Sequence, residues 1–170
     1  ADKDIHTQFG VVRKEQLAKA KAGSVVKSNT GKEFFVVHAS FPDAYRRMQR
    51  APQIIPLKDV ALIAAETGIN RSSKVLDAGS GSGALACFLG NIAKEVVSYE
   101  IREDFAAVAK GNVQRLGLKN VSIMVKDIYS GISEKNLDVI VLDLPSPWNA
   151  LEPAAAALKH GGYLVSYSPT

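Results

Sequence analysis

Lys74-Val75-Leu76-Asp77-Ala78-Gly79-Ser80-Gly81-Ser82-Gly83-Ala84-Leu85 sets an apolar run, a glycine turn and a helix start in immediate succession. That order commits the region to a strand, a turn and a helix. Gly79 and Gly81 permit a sharp turn and a close approach of backbone to ligand, while the apolar run before them needs burial on both faces. Downstream, short β-branched runs alternate with helical patterns, at 75–76, 84–93, 96–99, 103–116, 121–125, 137–142, 150–158 and 163–167. Such alternation predicts βαβ units around a parallel sheet, here of five strands. The predicted fold class is therefore α/β, with a Rossmann-like sheet over 74–170 that stops after its fifth strand. An alanine cluster at 154–157 suits a helix packed closely on that sheet.

Ahead of the sheet, turn signals at Gly10, Gly23 and Asn29-Thr30-Gly31 divide residues 1–40 into short pieces ending in an expected strand at 34–38. A small N-terminal β module is expected there. Residues 41–73 read as connecting helices: one at 41–50, then a segment at 51–56 stiffened by Pro52 and Pro56, then one at 58–67 stopped by Gly68. The chain begins without methionine and stops after the fifth strand. It is expected to be part of a longer protein.

With 46% apolar and 22% charged residues over 170 positions, the composition is that of a folded domain rather than a disordered or fibrous chain. No long apolar run exists to span a bilayer, and charges interrupt the N-terminal stretch where a signal peptide needs apolar residues. A cytoplasmic location with no membrane association is expected. Cys87, inside Ala86-Cys87-Phe88-Leu89, is expected to be a small buried hydrophobe. His6, His38 and His160 lack metal-ligand spacing, so no metal is expected. Residues 1–50 hold ten Lys/Arg against five Asp/Glu, although the whole chain is only +4. A local excess of this kind fits a phosphate-binding surface or an ordinary solvated face.

The glycine turn also satisfies the dinucleotide pattern G-x-G-x-x-A, so the acids around it must decide the ligand. Asp77 stands two residues before Gly79, where a fixed anion would repel a pyrophosphate. S-adenosyl-L-methionine instead presents a cationic amino group and a sulfonium. Glu100 closes the second strand, 23 residues later, where two carboxylate oxygens match a ribose diol. Asp127, beside Ile128 after the third strand, could accept from an adenine amino group. Ser80, Ser82, Gly83, Ala84 and Leu85 complete the turn, with Ser82 placed to help satisfy amides at the helix start. These acids predict a class I S-adenosylmethionine-dependent methyltransferase.

After the fourth strand, Asp143-Leu144-Pro145-Ser146-Pro147-Trp148 puts a carboxylate, a rigid turn and an aromatic ring at the active-site edge. A nucleobase needs an acid in its plane and a grip on its face to align a ring nitrogen on a methyl carbon.

At this point the chain resembles the tRNA (adenine-N1)-methyltransferases that modify position 58 of the T-loop, and in archaea sometimes 57. The resemblance rests on Asp4-Ile5-His6-Thr7 with Gly10, Arg50-Ala51-Pro52-Gln53-Ile54-Ile55 with Lys58-Asp59, and the 77–85 loop. It continues through Ser98-Tyr99-Glu100-Ile101-Arg102-Glu103-Asp104-Phe105, Lys126-Asp127-Ile128-Tyr129, the 143–148 element, Gly161-Gly162-Tyr163 and Tyr167-Ser168-Pro169. The run beginning at Ser98 is most like the archaeal branch.

The resemblance implies S-adenosyl-L-methionine as cofactor, tRNA as substrate and a homotetrameric assembly. It implies that Gln53 and Ile55 lie over the methionine end of the cofactor. It also implies that Asp143 is catalytic, accepting a bond from the adenine 6-amino group and stabilising the cationic product ring. Family members carry Tyr or His followed by Pro before the Lys-Asp pair. Here Pro56-Leu57 stand there, which leaves Trp148 or Tyr45 to hold the base. Tyr45, Arg46, Arg47 and Arg50 are candidates for the tRNA path, and Pro145 with Trp148 for the base pocket. The competing readings are a methyltransferase for another RNA base or a small molecule, and a noncatalytic RNA-binding partner subunit.

Overall fold

A computed structural model describes residues 3–50 and 54–168, and the chain divides into two compact units, 1–43 and 44–170. The first unit holds two antiparallel hairpins. Strands β1 (Ile5–Thr7) and β2 (Gly10–Val12) pair across a turn that Thr7 fixes, its hydroxyl donating to the Gly10 carbonyl at 2.8 Å. Helix α1 (Lys14–Lys19) follows, then strands β3 (Val25–Lys27) and β4 (Glu33–Phe35). The α1 helix was not expected from the sequence; it is a single short run with no buried residue, so it carries no amphipathic stripe to read. The last strand ends at Phe35, not at residue 38. Asn29 accepts from the Val11 amide at 2.8 Å and Thr30 donates to the Phe9 carbonyl at 2.6 Å, joining the hairpins.

Helix α2 (Phe41–Arg46) carries the chain across the division and stops four residues short of the predicted 50. Helix α3 (Leu57–Thr67) starts after Pro56 and ends at Gly68, whose φ of 66° gives the left-handed stop. Met48, Ile55, Val60 and Ile63 join the core of the sheet unit, which is why 44–73 belongs to that unit.

The second unit then runs β5 (Lys74–Ala78), α4 (Ala84–Gly90), β6 (Glu95–Glu100), α5 (Glu103–Arg115), β7 (Val121–Val125), β8 (Leu137–Leu142), α6 (Leu151–Ala157) and β9 (Leu158–Ser166), alternating strand and helix except between β7 and β8, where only a 3-10 turn at Ile128–Ser130 intervenes. The strands form one parallel sheet in the order β7-β6-β5-β8-β9. Alternate residues of the central strands feed two core layers. Val75, Val96, Val139 and Val141 pack with α3, α4 and α5, while Leu76, Val97, Ile140 and Leu142 pack with α6. Each fully buried aliphatic side chain, such as Leu76, Leu89, Ile140 or Leu142, contributes about 1.5–3 kcal/mol. Ala154 and Ala157 are fully buried, giving the close helix-to-sheet contact expected of the alanine cluster. Cys87 is buried as expected, and burial pushes its thiol up to about 12. Among the described residues, no helix is long and apolar enough to cross a membrane.

Candidate active site

Strands β5 and β8 are neighbours whose connections leave in opposite directions along the sheet, and a crevice opens at their carboxyl ends. Asp77 lies near the end of β5, in register with Ser98 on β6 and Val141 on β8. It is 1% exposed. Ser98 donates to its Oδ2 at 2.6 Å; with that proton committed, the Ser80 hydroxyl is the donor of the further bond to Ser98. Asp77 Oδ1 is buried without a partner. Burial raises the carboxyl to about 7, with Asp143 and Glu100 adding to the rise against the opposing Ser98 bond. No sequence signal gave Ser98 a role, although a serine in an otherwise apolar strand, two residues before Glu100, marks it afterwards.

The glycine turn is confined on two sides. Gly79 has a φ of 96°, and a Cβ there would lie 2.2 Å from the Asp143 carbonyl oxygen. Gly83, at φ 76°, would set a Cβ 3.0 Å from that of Ala109 on α5. The Gly81 amide donates to Glu100 Oε2 at 2.9 Å and the Arg102 amide to Oε1 at 3.0 Å, so the Glu100 carboxylate is held by backbone. Ser82 does not take the capping role expected of it. Gly83 occupies the N-cap of α4 in the left-handed conformation, which leaves the Ser82 hydroxyl buried and unbonded, while the Ser82 carbonyl accepts from Asn112 at 2.9 Å. Ala84 and Leu85 begin α4 and are buried.

Two cavities flank this turn. One, of about 340 Å³, is bordered by Gly79, Glu100, Asp127, Ile128, Pro145 and, beyond the sequence candidates, Tyr129 and Asn149. Asp127 Oδ1 accepts the Tyr129 amide at 2.9 Å, and the Tyr129 hydroxyl reaches the Ser146 carbonyl at 3.2 Å. The other, of about 310 Å³, is bordered by Tyr45, Arg46, Arg50, Ile55, Leu57 and Ala84. Gln53 lies outside the described residues. Asp143 follows β8, its amide bonded to the Ala78 carbonyl at 2.9 Å, and half-burial raises its carboxyl above the ordinary value. Tyr167 donates to Asp59 at 3.0 Å, and its amide bonds the Leu142 carbonyl beside Asp143.

Of the remaining candidates, Arg47 borders neither cavity; its carbonyl accepts from Arg115 at 3.2 Å. Trp148 is 64% exposed, so it is no packed anchor for its loop. Tyr45 packs edge-on to Phe88, with ring centres 6.0 Å apart, and so serves the core as well as the cavity wall.

Among the described residues, no lysine or arginine side chain forms an ion pair with Asp77, Glu100 or Asp143. Three acids set this close, none of them ion-paired among the described residues, suit a cationic ligand and oppose a pyrophosphate. No group of three or more His, Cys, Asp or Glu among the described residues could hold a metal.

A family model described as the GCD14 subunit of the tRNA methyltransferase complex matches residues 36–170. This chain belongs to that family. Across 96% of its length the GCD14-family chain is 35% identical to the tRNA (adenine(57)-N(1)/adenine(58)-N(1))-methyltransferase TrmI of Methanocaldococcus jannaschii, covering 67% of that protein. Among solved structures it is similar to a SAM-dependent O-methyltransferase from Thermotoga maritima, with a TM-score of 0.89, 34% identity, and coverage of 99% of this chain and 65% of that one. It is also similar to the tRNA (m1A58) methyltransferase TrmI from Aquifex aeolicus, with a TM-score of 0.84, 26% identity, and coverage of 99% and 67%. The chain thus spans about two thirds of the length of these relatives, and its sheet is that of a class I, Rossmann-like methyltransferase.

Proposed function

We propose that the protein transfers a methyl group from S-adenosyl-L-methionine to N1 of adenosine 58, and of adenosine 57 where both are substrates, in the T-loop of tRNA. The observation that carries this reading is the meeting of Asp143 with the glycine turn at Gly79, which sets the acid after β8 directly against the cofactor loop. The buried Asp77 Oδ1 without a partner and the three acids that form no ion pair among the described residues fit the cofactor's cationic end. When bound, the cofactor supplies an electrophilic methyl carbon on a positively charged sulfur.

The chain's own groups divide the work. Asp77 accepts from the ammonium, and Glu100, fixed by the Gly81 and Arg102 amides, offers its remaining lone pairs to a sugar diol. The cavity bordered by Asp127 and Ile128 receives the adenine ring of the cofactor. Gly79, Ser80, Gly81, Ser82, Gly83, Ala84 and Leu85 shape the turn beneath it, with Ile55 and Gln53 over the methionine end. Adenine N1 carries a lone pair and no proton, so no general base is required. Asp143 accepts from the 6-amino group, aligns N1 and favours the cationic product ring. Tyr45, Arg46, Arg47 and Arg50 meet the tRNA backbone, and Pro145 with the exposed Trp148 meets the target base.

The M. jannaschii and A. aeolicus names specify adenine N1, whereas the T. maritima name specifies an oxygen. The Asp143-Leu144-Pro145-Ser146-Pro147-Trp148 element favours the base. A homotetramer working in the cytoplasm completes the reading. The deciding experiment incubates full-length protein with unmodified tRNA transcript and S-adenosylmethionine, then maps methyl groups by mass spectrometry and primer extension. Arrest at position 58 with 1-methyladenosine is expected; methylation of oxygen or of another base overturns the assignment.

A further inference from the structure

Asn112 is a buried polar residue on α5, 1% exposed in a row that otherwise supplies Ala106, Ala109 and Val113 to the core. A buried amide persists only when its donors and acceptor are used. Here its Oδ1 accepts the Gln49 amide at 2.9 Å, and its Nδ2 donates to the Gln49 carbonyl at 2.8 Å and to the Ser82 carbonyl at 2.9 Å. The two bonds to Gln49 reproduce the exchange of one backbone residue with another in a sheet. The third fastens the same side chain to the glycine turn. One turn along the helix, Arg115 donates to the Arg47 carbonyl at 3.2 Å. Thus α5 grips the 47–49 backbone twice. A Cβ at Gly83 would stand 3.0 Å from that of Ala109, so the missing side chain is what lets α5 pack this closely on the turn.

We infer that Asn112 is a positioning residue that sets the spacing between the glycine turn and the 47–50 backbone, and so the place of Met48 and Arg50 on the 310 Å³ cavity that Ala84 also borders. This rests on the cofactor reading above. Residues 47–50 hold no helix or strand, so without Asn112 the Gln49 amide and carbonyl return to water and that stretch of the cavity wall loosens. A residue that only filled the core would affect stability alone; one that sets this spacing also affects how the cavity receives a ligand.

The test uses full-length protein, with S-adenosylhomocysteine as the calorimetric probe and hydrogen exchange read at the Gln49 amide. Wild type is expected to protect that amide and to protect it further on binding. Asn112→Ala is expected to lose the protection and to weaken binding at least tenfold, whereas Val113→Ala, a core change on the same helix, lowers the melting temperature with affinity within about twofold of wild type. Asn112→Asp, which keeps the acceptor and loses both donors, is expected to follow Asn112→Ala. An unprotected Gln49 amide in wild type overturns the inference, as does undiminished binding by Asn112→Ala or an equal loss in Val113→Ala. Failure of wild type to bind the probe overturns the cofactor reading instead, and the Gln49 exchange comparison then decides the role of Asn112 by itself.

Discussion

Asp77 and Ser98 stand opposite each other on β5 and β6, and the serine hydroxyl lies 2.6 Å from one oxygen of a carboxylate whose other oxygen has no partner. The bond fixes which oxygen is left without a partner. It also ties the acid to Ser80 of the glycine turn through a second hydroxyl.

A carboxyl raised to about 7 binds a cationic ligand best once it is ionised. Cofactor affinity is therefore expected to climb as pH rises through about 7 and then level off, with up to about one proton released per binding event on the acid side. Calorimetry in two buffers of different ionisation enthalpy reads that proton directly, and an affinity flat between about pH 6 and 8 would contradict it. For the free protein the sign is reversed. The native value lies above the ordinary 3.8, so the native state holds the proton more tightly and stability falls as pH rises between the two, by about 4 kcal/mol in all.

Asp77 and Asp143 are expected to fail differently. Asp77→Ala should weaken cofactor binding, since it removes the buried, unpartnered carboxylate oxygen that the proposed function assigns to the ammonium. Asp143→Ala should leave cofactor affinity within about threefold and reduce turnover by about 100-fold or more. Equal loss of cofactor affinity in the two variants contradicts this division.

Gly79→Ala brings a methyl to 2.2 Å from a backbone carbonyl, at a φ that side chains resist. Because the obstacle is the Asp143 main chain, relief requires moving the reaction loop. A stability loss of about 2 kcal/mol or more is expected, together with loss of turnover. Thermal denaturation and a single-turnover assay measure both, and a stable, active Gly79→Ala protein would show that the loop yields easily.

Arg46 and Arg50 border the same cavity, and both are exposed. The double change Arg46→Ala, Arg50→Ala is expected to weaken tRNA binding and to lower the slope of log affinity against log salt by about 1–2. An unaltered salt slope removes these arginines from the tRNA path.

The sheet was legible because its central strands β5, β6 and β8 are buried on both faces and so read as apolar runs, with Asp77 and Glu100 standing out at the ends of β5 and β6. Ser82 misled, because a serine before a helix normally caps it and nothing local announces that Gly83 turns left-handed at that point. Asn112 and Ser98 were silent for another reason: their partners lie 18 to 63 positions away, and only the strand register and the α5 packing bring them together. The helix at 41–50 stops early because the Arg47 and Met48 amides tighten onto the Ala44 and Tyr45 carbonyls, and Gln49 then turns its amide and carbonyl to Asn112 on α5.

The contact between Gly79 and the Asp143 carbonyl bears on how this scaffold could be re-engineered for donors that carry groups larger than methyl. Under the proposed function, cofactor floor and reaction loop share one wall there, so enlarging the space beneath the turn displaces the acid assigned to align the base. The neighbouring cavity has a wall, Ile54 to Leu57, built of side chains that can be shortened one at a time. Room for an ethyl or allyl donor is to be made on that side.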